Sequence, residues 1–182
     1  MNCEGSGASS GVIAGIEYST NQARGKRATG NLSLGGLFSQ ASNDAAAAAV
    51  ANGLFLAVAA GNSGLPTFTA SPASERTVCT VGASDEGDNR AVFSNFGTLV
   101  DVFAPGVGVE STWINGPDDT NTISGTSMAA PHVAGLASYL MALEGPSNPA
   151  DTCQRIIDLS TKGKLGLLAL SRDRIAFNGA TE

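Results

Sequence analysis

The chain has 182 residues, of which 42% are hydrophobic and 14% are charged, a composition typical of a folded globular protein. Its formal net charge of −6 and the absence of a basic stripe argue against a nucleic-acid partner. No apolar run reaches membrane-spanning length, no signal peptide is visible at the first residues, and the size predicts a single domain over residues 1–182.

Two helices and a strand are predicted in the first part of the chain. Apolar residues at helical spacing between positions 12 and 16 predict the first helix. Residues 28–34 predict a strand that runs into a glycine pair. Polar residues 42–44 predict the cap of an alanine-rich helix that ends near Ala51.

Three apolar segments predict the strands of a central sheet. Residues 54–60 form a continuous apolar run, which is typical of a parallel strand buried on both faces. Residues 78–83 and 100–103 repeat the strand pattern. This order predicts an α/β fold with a doubly wound parallel sheet and helices on both faces. The loop at residues 61–64 follows the first of these strands, where open α/β sheets place their sites.

The stretch from Ser124 to Gly135 carries the clearest chemical signal. A loop ends at Ser127, and small or apolar residues then keep helical spacing through Leu143, which predicts a helix buried inside the domain. Pro131 is expected in the first turn of this helix, where a missing N–H has no cost. A serine at this position faces free N–H groups and the positive end of the helix dipole, which favour negative charge developing beside an acyl carbon.

His132 is the only histidine of the chain, but it is not expected to be the base for Ser127. Five residues along a helix correspond to a rotation of about 140° and a rise of about 7.5 Å, so the imidazole leaves from another face. We expect it to be packed and hydrogen-bonded in the core instead. A lysine base is conceivable, although Lys26, Lys162 and Lys164 all lie in polar stretches typical of a surface.

Six short motifs occur in an order that is informative as a set. They are Ser33-Leu34-Gly35-Gly36, Val58-Ala59-Ala60-Gly61-Asn62, Ser71-Pro72-Ala73-Ser74, Val81-Gly82-Ala83-Ser84, Phe93-Ser94-Asn95-Phe96-Gly97 and Gly125-Thr126-Ser127-Met128-Ala129-Ala130-Pro131-His132. Together they resemble the subtilisin-like serine proteases, and their details are most similar to the fungal proteinase K branch. The resemblance covers almost the whole chain and implies the C-terminal portion of a subtilisin-like peptidase domain. Its sheet would be incomplete on the N-terminal side, because the family's catalytic aspartate and histidine segments lie upstream of these motifs.

The resemblance implies a serine endopeptidase that acts on polypeptides by acyl transfer. Ser127 would be the nucleophile, and the Asn62 side-chain amide would join the Ser127 N–H in holding the oxyanion. Without the resemblance, Asn62 reads as a turn residue. The substrate would pair as an added strand with two backbone segments. These segments comprise Ser33, Leu34 and Gly35 on one side and Ala59, Ala60 and Gly61 on the other.

Two functional hypotheses follow. In the first, the chain is part of an endopeptidase and has little activity by itself, because the family's base and acid lie in a missing N-terminal segment. That segment, or a propeptide, would be a partner of this chain. In the second, the chain is a non-catalytic remnant that binds peptides in the same groove. An in-frame aspartate motif and His-Gly motif encoded immediately upstream of Met1 would favour the first.

The resemblance also implies a Cys79–Cys153 disulfide, with Cys3 unpaired, in a protein secreted to an extracellular compartment. A pair of buried thiols is the alternative. A structural calcium ion is implied as well, held by the Asp101 carboxylate and by the backbone carbonyls of Arg76 and Val78. Here the alternative is a solvated surface aspartate. A second calcium site of the family would be lost, since Lys164 stands where an aspartate is expected.

Overall fold

The computed structural model describes residues 6–145 and 148–180, so Cys3 lies outside the described residues. Eight strands and four α-helices alternate along this part of the chain, with one 3-10 turn at Thr67–Thr69. The helices are α1 (Ser9–Ala23), α2 (Gln40–Ala51), α3 (Thr126–Leu143) and α4 (Pro149–Leu159). The strands are β1 (Ala28–Leu32), β2 (Gly36–Leu37), β3 (Leu54–Ala59), β4 (Ala70–Ser71), β5 (Cys79–Ser84), β6 (Val102–Pro105), β7 (Val109–Thr112) and β8 (Thr120–Ile123).

The centre of the fold is a four-stranded parallel sheet with the order β1-β3-β5-β6. Every residue of β3 and of β5 is buried, because both strands have a neighbour on each side and helices above and below. The predicted strand at 100–103 begins two residues later, at Val102, because Val100 closes a turn by donating its N–H to Gly97 O. Two short antiparallel pairs, β2–β4 and β7–β8, lie outside this sheet.

Helices cover both faces of the sheet, as the sequence predicts. Successive side chains of a strand point to opposite faces, and β3 accordingly divides between two hydrophobic clusters. Leu54, Leu56 and Val58 pack with residues of α1 and α2. The intervening side chains of β3 pack with residues of α3 and α4. The predicted doubly wound α/β architecture is therefore present.

The start of α2 differs from the prediction. Residues 42–44 lie inside the helix, and its N-cap is Ser39, whose hydroxyl accepts a hydrogen bond from Ser42 N at 3.3 Å. Ser39 is held in place because its own N–H donates to the Ser71 hydroxyl at 2.9 Å. Asn43 is buried and donates to Ser74 Oγ. Tertiary contacts with β4 and the loop after it, which the sequence pattern does not reveal, select the earlier cap.

Two expectations about α3 are also wrong. The helix begins at Thr126, so Pro131 is its sixth residue and lies beyond the first turn. The helix is also not buried on all sides, since His132, Gly135 and Tyr139 are exposed. The opposite side of α3 contributes to the main core. Helix α3 also reaches the edge strand β1, where the hydroxyls of Ser138 and Thr29 are 2.7 Å apart, and β1 has a hydrogen-bonded neighbour on one side only within the described sheet.

None of the helices formed by residues 6–145 and 148–180 is both long and apolar enough to cross a membrane.

Candidate active site

Ser127 is the second residue of α3, at the end of the loop that follows β8. The N-cap Gly125 has extended backbone angles and accepts a hydrogen bond from Met128 N at 3.0 Å. The first N–H groups of a helix have no partner inside it and carry its positive dipole end. The Ser127 N–H therefore belongs to a helix terminus suited to an anion.

Asn62 is tied to this helix terminus through its side-chain oxygen. Asn62 Oδ1 accepts hydrogen bonds from Thr126 N at 2.8 Å and from Thr126 Oγ1 at 2.9 Å. Thr126 is fully buried, and its hydroxyl also accepts from Gly61 N at 3.1 Å. Because the amide oxygen is engaged, the Asn62 NH₂ group is the end that remains to donate beside Gly125 and Ser127.

Ser33 joins the end of β1 to the start of α3 by two hydrogen bonds. Ser33 Oγ donates to the Ser127 carbonyl at 2.6 Å, and Ser127 Oγ donates to the Ser33 carbonyl at 3.3 Å. The Ser33 hydroxyl also accepts a bond from Asn31 Nδ2 at 2.9 Å. Ser127 is therefore held from two directions, by Ser33 and, through Thr126, by Asn62.

A groove of about 530 Å³ opens in front of Ser127 and Asn62. The predicted substrate-binding residues Leu34, Gly35, Ala59 and Gly61 all line it. The other two lie behind its wall. Ala60 is completely buried and donates its N–H to Val81 O, and Ser33 supports Ser127 as described above. The structure thus brings the predicted segments together at one groove. Four of the six predicted residues line the groove, and the other two support its wall.

Asn95 is a supporting residue of the groove to which the sequence assigned no role. Its amide donates to Ala60 O at 2.9 Å and accepts from Ser63 N and Leu65 N, at 3.1 and 3.0 Å. It therefore fixes the loop that carries Asn62. A Cβ at Gly61 would overlap the Asn95 side chain, and φ of Gly61 is +104°, so glycine is required there. Asn95 belongs to one of the six sequence motifs, but a local motif does not reveal contacts with residues 30 to 35 positions away.

His132 does not lie in the core, contrary to the expectation. Its side chain is exposed, and Nδ1 is 2.8 Å from Met128 O, within the same helix. An outward position follows from its place on the uncovered side of α3. Among residues 6–145 and 148–180, the Ser127 hydroxyl is hydrogen-bonded to Ser33 O, and no histidine, lysine or carboxylate is bonded to it. Within the part of the chain that the structure describes, the Ser127 hydroxyl therefore has a backbone carbonyl as its partner and no basic side chain.

Cys79 of β5 and Cys153 of α4 form a disulfide with a Cα–Cα distance of 5.8 Å. This is the pairing that the resemblance implies. The bond attaches α4 to the centre of the parallel sheet.

Asp101, the expected calcium ligand, is half-buried between β5 and β6. Burial raises the pKa of its carboxyl group to about 6, although the hydrogen bond from Thr80 N and the charges of Arg174 and Arg172 act in the opposite direction. Val78 immediately precedes β5, so its carbonyl lies in the same region of the fold. A desolvated carboxylate gains from a cation, so the donor set fits calcium in type, with a single negative charge.

Comparison with known proteins agrees with this geometry. The sequence profile of the Subtilase family matches residues 1–172. A subtilisin-like serine protease, AsES, of Sarocladium strictum is 51% identical over 98% of this chain and 47% of its own length. A cuticle-degrading protease of Metarhizium anisopliae is 50% identical over 99% of this chain and 47% of its own. The crystal structure of a cold-adapted subtilisin-like serine proteinase superposes with a TM-score of 0.95 at 35% identity, covering all of this chain and 65% of that one.

The helix-borne serine and its amide neighbour lie together on an α/β fold with a parallel central sheet, which is the fold of the subtilisin-like proteinase in this comparison. The chain belongs to the subtilase family of serine proteases. It spans about half the length of the curated relatives that it matches.

Proposed function

We propose that the protein is a serine endopeptidase that hydrolyses peptide bonds through an acyl-enzyme on Ser127. The observation that carries this proposal is the fixed orientation of Asn62. Because Thr126 holds its oxygen, its NH₂ group and the Ser127 N–H can donate to one oxyanion.

In the proposed reaction, Ser127 Oγ attacks the peptide carbonyl carbon and the carbonyl oxygen becomes negatively charged. The Ser127 N–H and Asn62 Nδ2 stabilise that charge, the amine leaves, and water then hydrolyses the ester. In a subtilisin, removing the counterpart of this asparagine costs about 3 kcal/mol, and we adopt that magnitude for Asn62. The proton of Ser127 needs a base from outside the described residues, since an unactivated serine is a weak nucleophile.

The groove favours polypeptide substrates that have an uncharged side chain at the cleavage position. None of its lining residues carries a formal charge, and its walls combine alanine, glycine and leucine with uncharged Ser, Thr and Asn. A charged side chain would lose its hydration there without a partner, whereas an apolar one gains by burial. Broad specificity with an apolar preference is the expected result.

A second candidate function is peptide binding without turnover. It is favoured by the contrast between a formed groove and the lack of a base among the described residues. We also propose an extracellular location for the complete protein, in keeping with the disulfide. An N-terminal segment or propeptide partner and a calcium ion held by Asp101, Arg76 and Val78 complete the proposal.

A chimera tests the proposed function. The part of the Metarhizium anisopliae protease that precedes the matched region is joined to this chain, and the product is treated with a fluorophosphonate probe and an unstructured protein substrate. We expect labelling of Ser127 and cleavage of the substrate, both abolished by Ser127→Ala. A folded chimera that binds peptides and is neither labelled nor active would overturn the endopeptidase proposal and favour the binding function.

A further inference from the structure

The side chains of Cys79, Cys153 and Asp101 form a compact group away from the groove. One ligand atom from each, two sulfurs and a carboxylate oxygen, lie within 4.8 Å of one another. The three residues come from β5, from α4 and from the segment just before β6. These segments belong to one packed unit, because Cys79 is part of the main hydrophobic cluster and Cys153 packs against that cluster.

We propose that reduction of the Cys79–Cys153 disulfide creates a binding site for a thiophilic divalent ion, Zn²⁺ above all, with two thiolates and the Asp101 carboxylate as ligands. Sulfur and oxygen ligands of this kind, with water in the fourth position, are typical of zinc. The ion would take over the cross-link between β5 and α4 that the disulfide makes in the oxidised protein.

The oxidised and reduced forms differ in the number of metal ligands that they offer. A disulfide sulfur has no thiolate charge and is a poor zinc ligand, so the oxidised protein has one carboxylate to offer. A dithiol reductant transfers two electrons to the S–S bond and becomes a disulfide itself, which leaves two thiols on the protein. Zn²⁺ then displaces one proton from each thiol as two Zn–S bonds form.

Neighbouring groups orient the Asp101 carboxylate and offset the net charge that the metal-bound site would carry. Thr80 N donates to Asp101 Oδ2 at 2.9 Å, which fixes the carboxylate while its other oxygen remains for a metal. Two thiolates, one carboxylate and Zn²⁺ leave one net negative charge. Arg174 and Arg172 interact electrostatically with Asp101, and their positive charges oppose that remainder.

Access does not require the core to open. Cys79 is buried at the centre of the sheet and would supply a fixed ligand. Cys153 and Asp101 are half-buried, so an ion can reach them from solvent. The Cα atoms of the two cysteines are 5.8 Å apart, so the side chains can open around an ion with little movement of the backbone.

The test uses the chain with Cys3→Ser, so that two thiols remain after reduction. Co²⁺ is titrated as a spectroscopic probe and then displaced by Zn²⁺, with oxidised protein, reduced protein and reduced Asp101→Asn compared. We expect one tetrahedral, thiolate-ligated ion per reduced chain, none on the oxidised chain, and an affinity lower by at least about tenfold in Asp101→Asn. Equal affinities of the reduced chain and reduced Asp101→Asn in native buffer would overturn the site.

A measurement in concentrated urea separates a folded site from an ordinary pair of thiols. There the reduced chain and its Asp101→Asn variant should bind Zn²⁺ equally, because no fold brings the carboxylate to the sulfurs. If reduction alone unfolds the chain in buffer, Zn²⁺ should restore its near-ultraviolet circular dichroism. Failure to restore it would contradict the proposal.

Discussion

Ser33 and Pro131 act on the same carbonyl group. In an α-helix the carbonyl of Ser127 would accept from the N–H of residue 131, but proline has no N–H. The hydroxyl of Ser33 takes that place at 2.6 Å. The proline thereby replaces a bond internal to the helix by one between the helix and the segment after β1. Ser127 is thus positioned by Ser33, whose chain neighbour Leu34 lines the groove.

A double-mutant cycle tests this relationship. Ser33→Ala leaves the Ser127 carbonyl without a protein donor and should lower the free energy of unfolding by about 1 kcal/mol. In a Pro131→Ala background the helix supplies its own donor, so the same substitution should cost clearly less. Urea unfolding measures both, and Ser33→Thr, which keeps the hydroxyl, is the control. Equal losses in the two backgrounds would show that the carbonyl does not couple the residues.

Asp101 should give the protein a distinctive pH dependence. Its pKa is about 6 in the folded chain and near the ordinary aspartate value of 3.8 when unfolded, so the folded state binds the proton more tightly. The contribution of Asp101 to the free energy of unfolding therefore falls as pH rises from about 4 to about 6. The loss is on the order of 2–3 kcal/mol.

The variant Asp101→Asn isolates this contribution, because an amide oxygen can still accept from Thr80 N. Relative to the natural chain, the variant should gain stability as pH rises through that interval, in chemical unfolding without added calcium. A difference that does not change with pH would contradict the burial of a carboxylate at this position.

The disulfide should be a major source of stability. Cys79 and Cys153 are 74 residues apart in sequence. Closing a loop of this size stabilises by about 4 kcal/mol in the chain-entropy model. The double variant Cys79→Ser/Cys153→Ser should lose much of that free energy of unfolding, and mass spectrometry after non-reducing digestion should find the linked peptides in the natural chain. An unchanged urea midpoint would be the contrary result.

Gly61 and Gly53 form a matched pair for testing the loop that carries Asn62. Both have positive φ, +104° and +92°, but a Cβ at Gly61 meets Asn95 whereas a Cβ at Gly53 meets no atom within 4 Å. Gly53→Ala should cost about 1 kcal/mol, the usual penalty for a side chain in this conformation. Gly61→Ala should cost clearly more in thermal unfolding. Similar costs would mean that the Asn95 side chain yields easily.

The sequence predicted the layers of the fold better than the details of its junctions. The continuous apolar run at β3 could be recognised because burial on both faces leaves a composition signal. The cap at Ser39 depends on Ser71, which is 32 residues away, and the support of Ser127 by Ser33 depends on a contact across 94 residues. No local pattern records such distances.

The exposed side of α3 was missed for a related physical reason. Small and apolar residues occupy nearly all sides of α3 itself, and that composition predicts burial. Whether a face is covered depends on what packs against it, and His132 and Tyr139 are exposed in the part of the chain that the structure describes. The sequence motifs around Asn62 and Ser127, by contrast, identified two residues that the structure brings to one groove.

The most direct test of the account is the rate at which a fluorophosphonate labels Ser127 in the isolated chain, measured beside the chimera and the Ser127→Ala variant. Ser127 bonds to a backbone carbonyl and to no base among the described residues, so its hydroxyl should behave as an ordinary alcohol. We predict that the isolated chain, with folding verified by near-ultraviolet circular dichroism, is labelled no faster than Ser127→Ala, and that the chimera is labelled rapidly. Labelling of the isolated chain at the rate of an active protease would contradict the account.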